Sequence, residues 1–234
     1  MSNSHEPPAN SLEPGSREWW AEMAVPVAKR GRPPIGTDRI TSAALDLLAS
    51  EATDEYSIRN VAARLGASTA TLYRKIGGRP GLDALVVDAV IGTARQQAEE
   101  MDAPDWKAGL RAGATATFDA LARHPLAVPL FAATVPSGPN ATAMRERSIG
   151  QLLEHGFAPE LAAHTYTSVG HLTIGFGLQL LYAPTQSLAR RHLPPATARV
   201  AEHLDSSLRE EFQFGLQMMI QGVAASQPRD GTAL

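Results

Sequence analysis

Apolar residues recur at helical spacing through almost the whole chain from residue 37 onward, and no stretch alternates as a half-buried strand would. A single stripe at positions i, i+3, i+4, i+7 and i+8 is formed by Ile40, Ala43, Ala44, Leu47 and Leu48. Such a stripe has to be buried against other helices. With 234 residues, 44% of them hydrophobic, the chain is long enough to bury a core of this kind. The sequence therefore predicts an all-α protein.

Cap and turn signals divide this periodicity into helices. Thr37 is placed to cap the first helix, Ser57 the second, and Ser68 a short third helix that ends at Gly77-Gly78. A long helix is predicted from about Pro80 to Met101. Further helices are predicted at about 105–123, 126–133, 140–155, 159–182, 196–204 and 206–224. Before residue 37 the chain reads as a flexible tail in which Ser16 caps one short amphipathic piece carrying Trp19 and Trp20.

Several classes of protein are excluded or disfavoured by what the sequence lacks. It has no cysteine, no apolar run of about 18 residues and no signal-peptide core, which favours a cytoplasmic protein without disulfides or membrane partners. No G-x-S-x-G, H-E-x-x-H, Walker-type or G-x-G-x-x-G stretch is present, so we expect no enzyme and no cofactor. His164 and His171 share a helical face without a carboxylate at ligand spacing, so no metal site is expected.

The net charge of −3 conceals an asymmetry along the chain. Between Ala28 and Pro80 nine basic residues face five acidic ones, which gives this stretch +4 and leaves −7 for the remainder. A basic segment joined to an acidic body is a possible electrostatic footprint for nucleic acid, although a solvated face often has the same imbalance.

Residues 57–76, SIRNVAARLGASTATLYRKI, have the spacing of a helix-turn-helix. A recognition helix needs apolar anchors on one side, here Leu72 and Ile76. Its other side needs short or hydrogen-bonding side chains that let the backbone enter the major groove. An ordinary helical hairpin would show part of this pattern, so the spacing alone leaves that alternative open.

A second signal lies just before this motif, in Lys29-Arg30-Gly31-Arg32-Pro33-Pro34. An R-G-R-P core is the pattern of an arm whose arginines, here Arg30 and Arg32, lie in the narrow minor groove of A·T-rich DNA. A solubilising basic linker is the alternative. The position directly before a helix-turn-helix favours the DNA-binding interpretation.

The segment 37–92 resembles the DNA-binding domain of the tetracycline-repressor (TetR) family. The matching features are the ALDLL of the first helix, SIRNVAARLG in the second, T-L-Y in the third and a basic residue before L-D-A-L in the fourth. The C-terminal EEFQFGLQMMIQGV resembles the terminal helix of that family. The resemblance implies a flexible tail with the basic arm at 1–36, a DNA-binding domain at 37–82, a helical effector-binding and dimerisation domain at 83–225, and a C-terminal tail at 226–234.

By position, the resemblance implies that bases and phosphates are contacted by the side chains of Arg59, Ser68, Thr69, Ala70, Thr71, Tyr73, Arg74, Lys75 and Arg79. Two departures from the family pattern matter. Arg74-Lys75 replaces a frequent aromatic or histidine pair, and the following loop is Gly77-Gly78. The operator sequence therefore cannot be carried over from relatives.

The resemblance also implies a homodimer and an effector pocket in the helical body. The helices at 159–182 and 206–224 would form the dimer interface through Leu172, Phe176, Phe212, Leu216 and Met219; purely intramolecular packing is the alternative. Candidate pocket residues are Phe118, Phe131, Met144, Gln151, His155, Thr167 and His171. For each of these, an ordinary packed side chain is the competing interpretation.

The function expected from the sequence is that of a homodimeric transcriptional repressor. It would bind a palindromic double-stranded DNA operator and leave it when a small, mainly apolar effector binds. The alternative is an architectural DNA binder that prefers A·T-rich sites through the arm and carries an inert helical body. Loss of operator binding on addition of a ligand would separate the two.

Overall fold

The computed structural model describes residues 12–24, 35–49, 55–182, 194–204 and 206–226, and its regular structure within these ranges is helical. The α-helices are α1 (Arg17–Ala24), α2 (Thr37–Ala49), α3 (Ile58–Arg64), α4 (Thr69–Ile76), α5 (Arg79–Glu100), α6 (Trp106–Arg123), α7 (Val128–Ala133), α8 (Pro139–Glu154), α9 (Pro159–Gln179), α10 (Pro195–Val200) and α11 (Leu208–Ala225). Short 3-10 turns precede α7 and follow α10. Within the described ranges, no helix combines the length and apolar character needed to cross a bilayer. The prediction of an all-α chain is confirmed.

The helix ends follow the cap signals, with one correction. Ser57 accepts a hydrogen bond from the Asn60 amide at the start of α3, and Ser207 forms a capping box with Glu210 at the start of α11. Thr37, however, lies inside α2, and the Gly36 carbonyl accepts the first intrahelical bond from Ile40 at 3.3 Å. The predicted Thr37 cap is therefore wrong, because the helix begins one residue earlier than a threonine cap requires.

The described residues fall into two compact units, one from 1–93 and 129–144 and the other from 94–128 and 145–234. The first unit contains α1 to α4, the first part of α5, most of α7 and the start of α8. Its core contains side chains that are fully buried on α2, α3, α4 and α5, among them Ile40, Val61, Leu72, Ile76 and Leu82. Each contributes about 1.5–3 kcal/mol of burial free energy, which holds α3 and α4 in fixed positions on α2 and α5.

The first unit also includes a folded N-terminal piece. Ser16 caps α1 by accepting a hydrogen bond from the Trp19 amide at 3.1 Å, as its sequence predicts. Trp19 is only 3% exposed, so α1 is packed onto the unit. Part of the stretch expected to be a flexible tail is therefore helical and docked.

A buried carboxylate holds the start of α8 against α5 within the first unit. Asp88 is 5% exposed and accepts hydrogen bonds from the Ala141 amide at 3.0 Å and the Asn140 side-chain amide at 3.0 Å. The contact requires glycine at position 138, because a Cβ atom there would lie 2.3 Å from the Asp88 carboxyl carbon. The signal that could have identified this residue is an aspartate within the otherwise apolar run ALVVDAVIG, residues 84–92.

The second unit has its own core between α6, α9 and α11. It contains the stacked rings of Phe118 and Phe212, 4.6 Å apart, and the edge-to-face pair of Trp106 and Phe157. α6 approaches α9 closely at Gly177, where a Cβ atom would lie 2.9 Å from Leu121 Cδ1. The absence of a side chain at Gly177 therefore permits this close approach of the two helices.

Candidate nucleic-acid interface

The helices α3 and α4 form the helix-turn-helix that the sequence predicts. α3 ends in a turn in which Gly66 has a left-handed φ of 61° and the Ala67 amide donates to the Ala62 carbonyl at 2.9 Å. α4 begins at Ser68, whose side chain accepts a hydrogen bond from the Thr71 amide at 3.2 Å. Because Leu72 and Ile76 are fully buried, the opposite face of α4 points away from the core.

That opposite face carries most of the predicted DNA contacts. Tyr73 is 54% exposed, and Ala70 and Arg74 are also exposed. Thr69, Thr71 and Lys75 are half-buried along its edges. The Ser68 hydroxyl lies 2.8 Å from that of Thr71, so both hydroxyls help to form the helix start as well as facing outward.

Arg59 lies exposed on α3, as the resemblance implies, but Arg79 has a structural role. Arg79 Nε donates to Asp83 Oδ1 at 2.7 Å and its Nη1 donates to the Tyr56 carbonyl oxygen at 3.1 Å. The guanidinium also lies over the Tyr56 ring, 4.1 Å from its centre. Arg79 is therefore held by groups of its own chain, and its predicted phosphate contact stays a prediction, since 48% of its side chain is exposed.

Tyr56 and Asp83 complete this cluster, and the sequence interpretation missed both. The Tyr56 hydroxyl donates to Asp83 Oδ1 at 2.7 Å. Burial, and then the Asp83 charge, raise the pKa of Tyr56 above its ordinary value, so the phenol stays protonated and keeps donating. The cluster ties the residues before α3 to the first turn of α5. A single tyrosine between α2 and α3 gives no such signal in the sequence.

The arm residues Arg30 and Arg32 lie outside the described residues, so their role stays a prediction.

The predicted effector residues come from both units. Phe131 and Met144 belong to the first unit, and the other five belong to the second. Phe118 is buried against Phe212, whereas Gln151 packs its amide against α6 at Gly109. The remaining three candidates lie exposed on the surface and do not face the core of the unit: His155, Thr167 and His171.

A different polar residue lies in the core of the second unit. Thr165 on α9 is 3% exposed, and its hydroxyl has no hydrogen-bond partner among the described residues. Ala162 and Val169, three residues before and four after it, are both part of the apolar core, so Thr165 faces that core. A threonine within this helix gives no signal of its own in the sequence, and only the missing hydrogen-bond partner of its hydroxyl distinguishes it.

The predicted dimer residues need correction as well. Phe212 and Leu216 are 0% and 1% exposed, because they face the core of their own chain. Leu172 and Phe176 are half-buried and pack near Gly215 of α11, and Met219 packs on the same core. The large apolar side chains that α11 leaves exposed are Phe214, at 69%, and Met218, at 52%.

The fold and the α3–α4 geometry together define a class of protein: a helix-turn-helix DNA-binding regulator with a helical body. The family model for the tetracyclin repressor-like C-terminal domain matches residues 100–227, more than half of the chain. The chain therefore belongs to the TetR family of DNA-binding transcription regulators.

Individual relatives agree with this assignment. An HTH-type transcriptional regulator from Saccharopolyspora erythraea is 28% identical over 84% of this chain and 88% of that protein. The HTH-type transcriptional repressor DrrR1 of Streptomyces coeruleorubidus is 27% identical over 82% of this chain and 78% of its own length. The TetR-family protein ActR of Streptomyces coelicolor in complex with (S)-DNPA has a TM-score of 0.73 at 25% identity, covering 84% of this chain and 100% of that one. ActR has also been solved in complex with actinorhodin.

Proposed function

We propose that this chain is a homodimeric repressor that acts in the cytoplasm. It binds a palindromic operator through α4 and leaves it when a small effector occupies the second unit. The observation that carries the proposal is the face of α4, which is anchored by buried Leu72 and Ile76 and presents Tyr73 and Arg74 outward. The similarity to a named repressor, DrrR1, supports repression over activation.

Within this proposal, residues on α4 divide by chemistry. Thr71 and Tyr73 near its middle are placed for bases and backbone. Arg74 and Lys75 have no ion-pair partner among the described residues, so their charge is available to phosphates. Arg30 and Arg32 on the arm add contacts in the minor groove of A·T-rich flanks.

Lys75→Ala is expected to weaken binding to every DNA sequence and to lower the slope of log affinity against log salt by about one unit.

Arg30→Ala combined with Arg32→Ala is expected to erase a preference for A·T-rich flanks while the choice of core site is unchanged. The probe is the site that the wild-type chain enriches from randomised duplex DNA, called here the selected site, with its flanks varied. Equal loss on A·T-rich and G·C-rich flanks would show that the arm is only a basic tether.

The effector is proposed to be a small, mainly apolar molecule that carries one hydrogen-bonding group. The core of the second unit is built from aromatic and aliphatic side chains. Among the described residues of this unit, the Thr165 hydroxyl and His124 Nδ1 are buried without a hydrogen-bond partner, and Thr165 faces this core. A buried hydroxyl without a partner costs about 1–3 kcal/mol, and a ligand atom that bonds it would recover part of that cost. Support also comes from ActR, a protein of this fold solved with small molecules bound.

Ligands that raise the melting temperature of the wild-type chain are expected to weaken its binding to the selected site, because a ligand that prefers the DNA-incompetent state must lower DNA affinity. Thr165→Val, which removes the hydroxyl at constant shape, is expected to reduce affinity for such a ligand about five- to tenfold. Thr167→Val is the matched control, since Thr167 is exposed and bonds the Ala163 carbonyl. Stabilising ligands that leave DNA affinity unchanged would favour the architectural alternative.

The homodimer is proposed to form through the outward face of α11. Phe214 and Met218 are one helical turn apart, so their exposed side chains form one apolar patch. Gly175 and His171 are exposed along α9, which packs beside α11 in the same unit. The proposed interface is therefore centred on the exposed Phe214 and Met218, in place of the buried Phe212 and Leu216 expected from the sequence.

A further inference from the structure

The N-terminal segment 12–24, called here the strap, contacts the end of the recognition helix α4. Trp19 Cζ2 lies 3.1 Å from the position that a Cβ atom on Gly81 would occupy, in the first turn of α5. The carbonyl oxygen of Ile76, the last residue of α4, lies 1.6 Å from the same position. The Trp19 ring therefore packs at the point where the end of α4 meets α5.

A second contact of the strap reaches the residue that ends α4. Gly77 has a left-handed φ of 74°, and its amide donates to the Tyr73 carbonyl at 2.9 Å. A Cβ atom on Gly77 would lie 2.7 Å from Cγ of Pro14, so the proline ring covers this turn. Strap contacts thus flank the last turn of α4 at both Gly77 and Gly81.

The strap is itself fixed from another direction. The Ser137 hydroxyl donates to the Gly15 carbonyl at 2.7 Å and accepts a hydrogen bond from Trp20 Nε1 at 3.3 Å. Trp19 and Trp20 pack edge to face, with ring centres 4.7 Å apart. Because the loop before α8 anchors its outer side, the strap is held as a rigid element against α4.

We propose that the strap is a positioning element for DNA recognition and that Trp19 is its principal positioning residue. It fixes the last turn of α4 and therefore the direction of the helix that reads DNA. α4 has eight residues, so a shift at its final turn moves the whole face that carries Thr71 and Tyr73. The proposal rests on the proposed DNA-binding function, and it adds that residues before the basic arm determine how well α4 is placed.

The experiment compares the full-length wild-type chain with Trp19→Ala, Trp19→Phe, Pro14→Ala and the exposed control Glu22→Ala. Trp19→Ala is expected to speed hydrogen exchange of the Gly77 amide at least tenfold, and Pro14→Ala about threefold, because local opening frees the last turn of α4. Affinity for the selected site is expected to fall at least tenfold in Trp19→Ala and less than twofold on a scrambled duplex, since the charge is unchanged. In Trp19→Phe, the exchange rate of the Gly77 amide and the affinity for the selected site should both stay close to wild-type values. Glu22→Ala should match wild type in both measurements.

A strap that detaches in Trp19→Ala, seen as fast exchange throughout α1, while α4 exchange and DNA affinity stay at wild-type values would overturn the proposal. Should Trp19→Ala fail to fold, Pro14→Ala decides the proposal, because unchanged hydrogen exchange of the Gly77 amide in that variant would contradict it. A wild-type chain that selects no DNA site would refute the proposed function. Hydrogen exchange at α4 would still test the strap.

Discussion

The double substitution Phe214→Glu with Met218→Glu is expected to convert a dimer into a monomer. The two side chains are 69% and 52% exposed in the single chain, so the change leaves the core of the subunit intact. A twofold-symmetric interface would bring four new carboxylates together out of water. We expect the dimer to weaken at least about 100-fold, which corresponds to about 2.7 kcal/mol. Affinity for the selected site should fall as well, because one subunit can occupy only one half-site.

Sedimentation velocity over a range of protein concentrations measures this change directly. Val135→Glu is the control, since Val135 is 81% exposed in the first unit and lies outside the proposed patch. Phe212 and Leu216 are unsuitable targets because glutamate at either buried position would unfold the second unit. A double variant that sediments as a dimer at wild-type concentrations would show that the interface lies elsewhere.

Among glycine-to-alanine substitutions in the first unit, Gly81→Ala is expected to cause the largest loss of stability. The new Cβ atom would lie 1.6 Å from the Ile76 carbonyl oxygen, a backbone atom that cannot rotate away. α4 has to move relative to α5, with an expected loss of about 3 kcal/mol in the free energy of unfolding. Binding to the selected site should be lost even at temperatures where the variant is folded, because α4 is displaced.

Gly113→Ala on α6 is the matched control, since no atom lies within 4 Å of its added Cβ position. At that helical position alanine is expected to be neutral or to stabilise the chain by up to about 1 kcal/mol. Urea unfolding of both variants gives the comparison. Equal stability of Gly81→Ala and wild type would mean that α4 and α5 are not packed as described.

The helix-turn-helix could be predicted from the sequence because its signals are local. Ser57, Gly66, Ser68 and Gly77 each fix one cap or turn through bonds to residues a few positions away. The buried anchors Leu72 and Ile76 follow from spacing within one short helix. Features of this kind need no knowledge of which distant helix packs nearby.

The dimer face could not be predicted in the same way, because α11 is apolar on more than one side. Phe212, Phe214, Leu216 and Met218 alternate along it, and helical spacing does not say which pair faces the subunit's own core. The structure places Phe212 and Leu216 inward and leaves the other two outside. The structural role of Arg79 was missed for a related reason, since its partner Tyr56 lies outside the helix that carries Arg79.

The buried Thr165 hydroxyl and the Asp88 contact were missed because both depend on tertiary packing. Thr165 is distinguished only by having no partner among the described residues, which sequence cannot show. Asp88 bonds backbone and side-chain groups more than fifty residues away, at the start of α8. No spacing rule identifies either partner, and the one sequence signal at Asp88 is its place within an apolar run.

The central claim is that two copies of this chain read a palindrome through α4. Selection of the full-length chain on randomised duplex DNA, followed by sedimentation of the enriched complex, tests it most directly. The expected result is an inverted repeat whose half-site centres lie one helical turn of DNA, or a multiple of it, apart. Two chains should bind each duplex, and the enrichment should be lost in Phe214→Glu with Met218→Glu. Enrichment of A·T-rich sequence without an inverted repeat, bound by one chain, would contradict it.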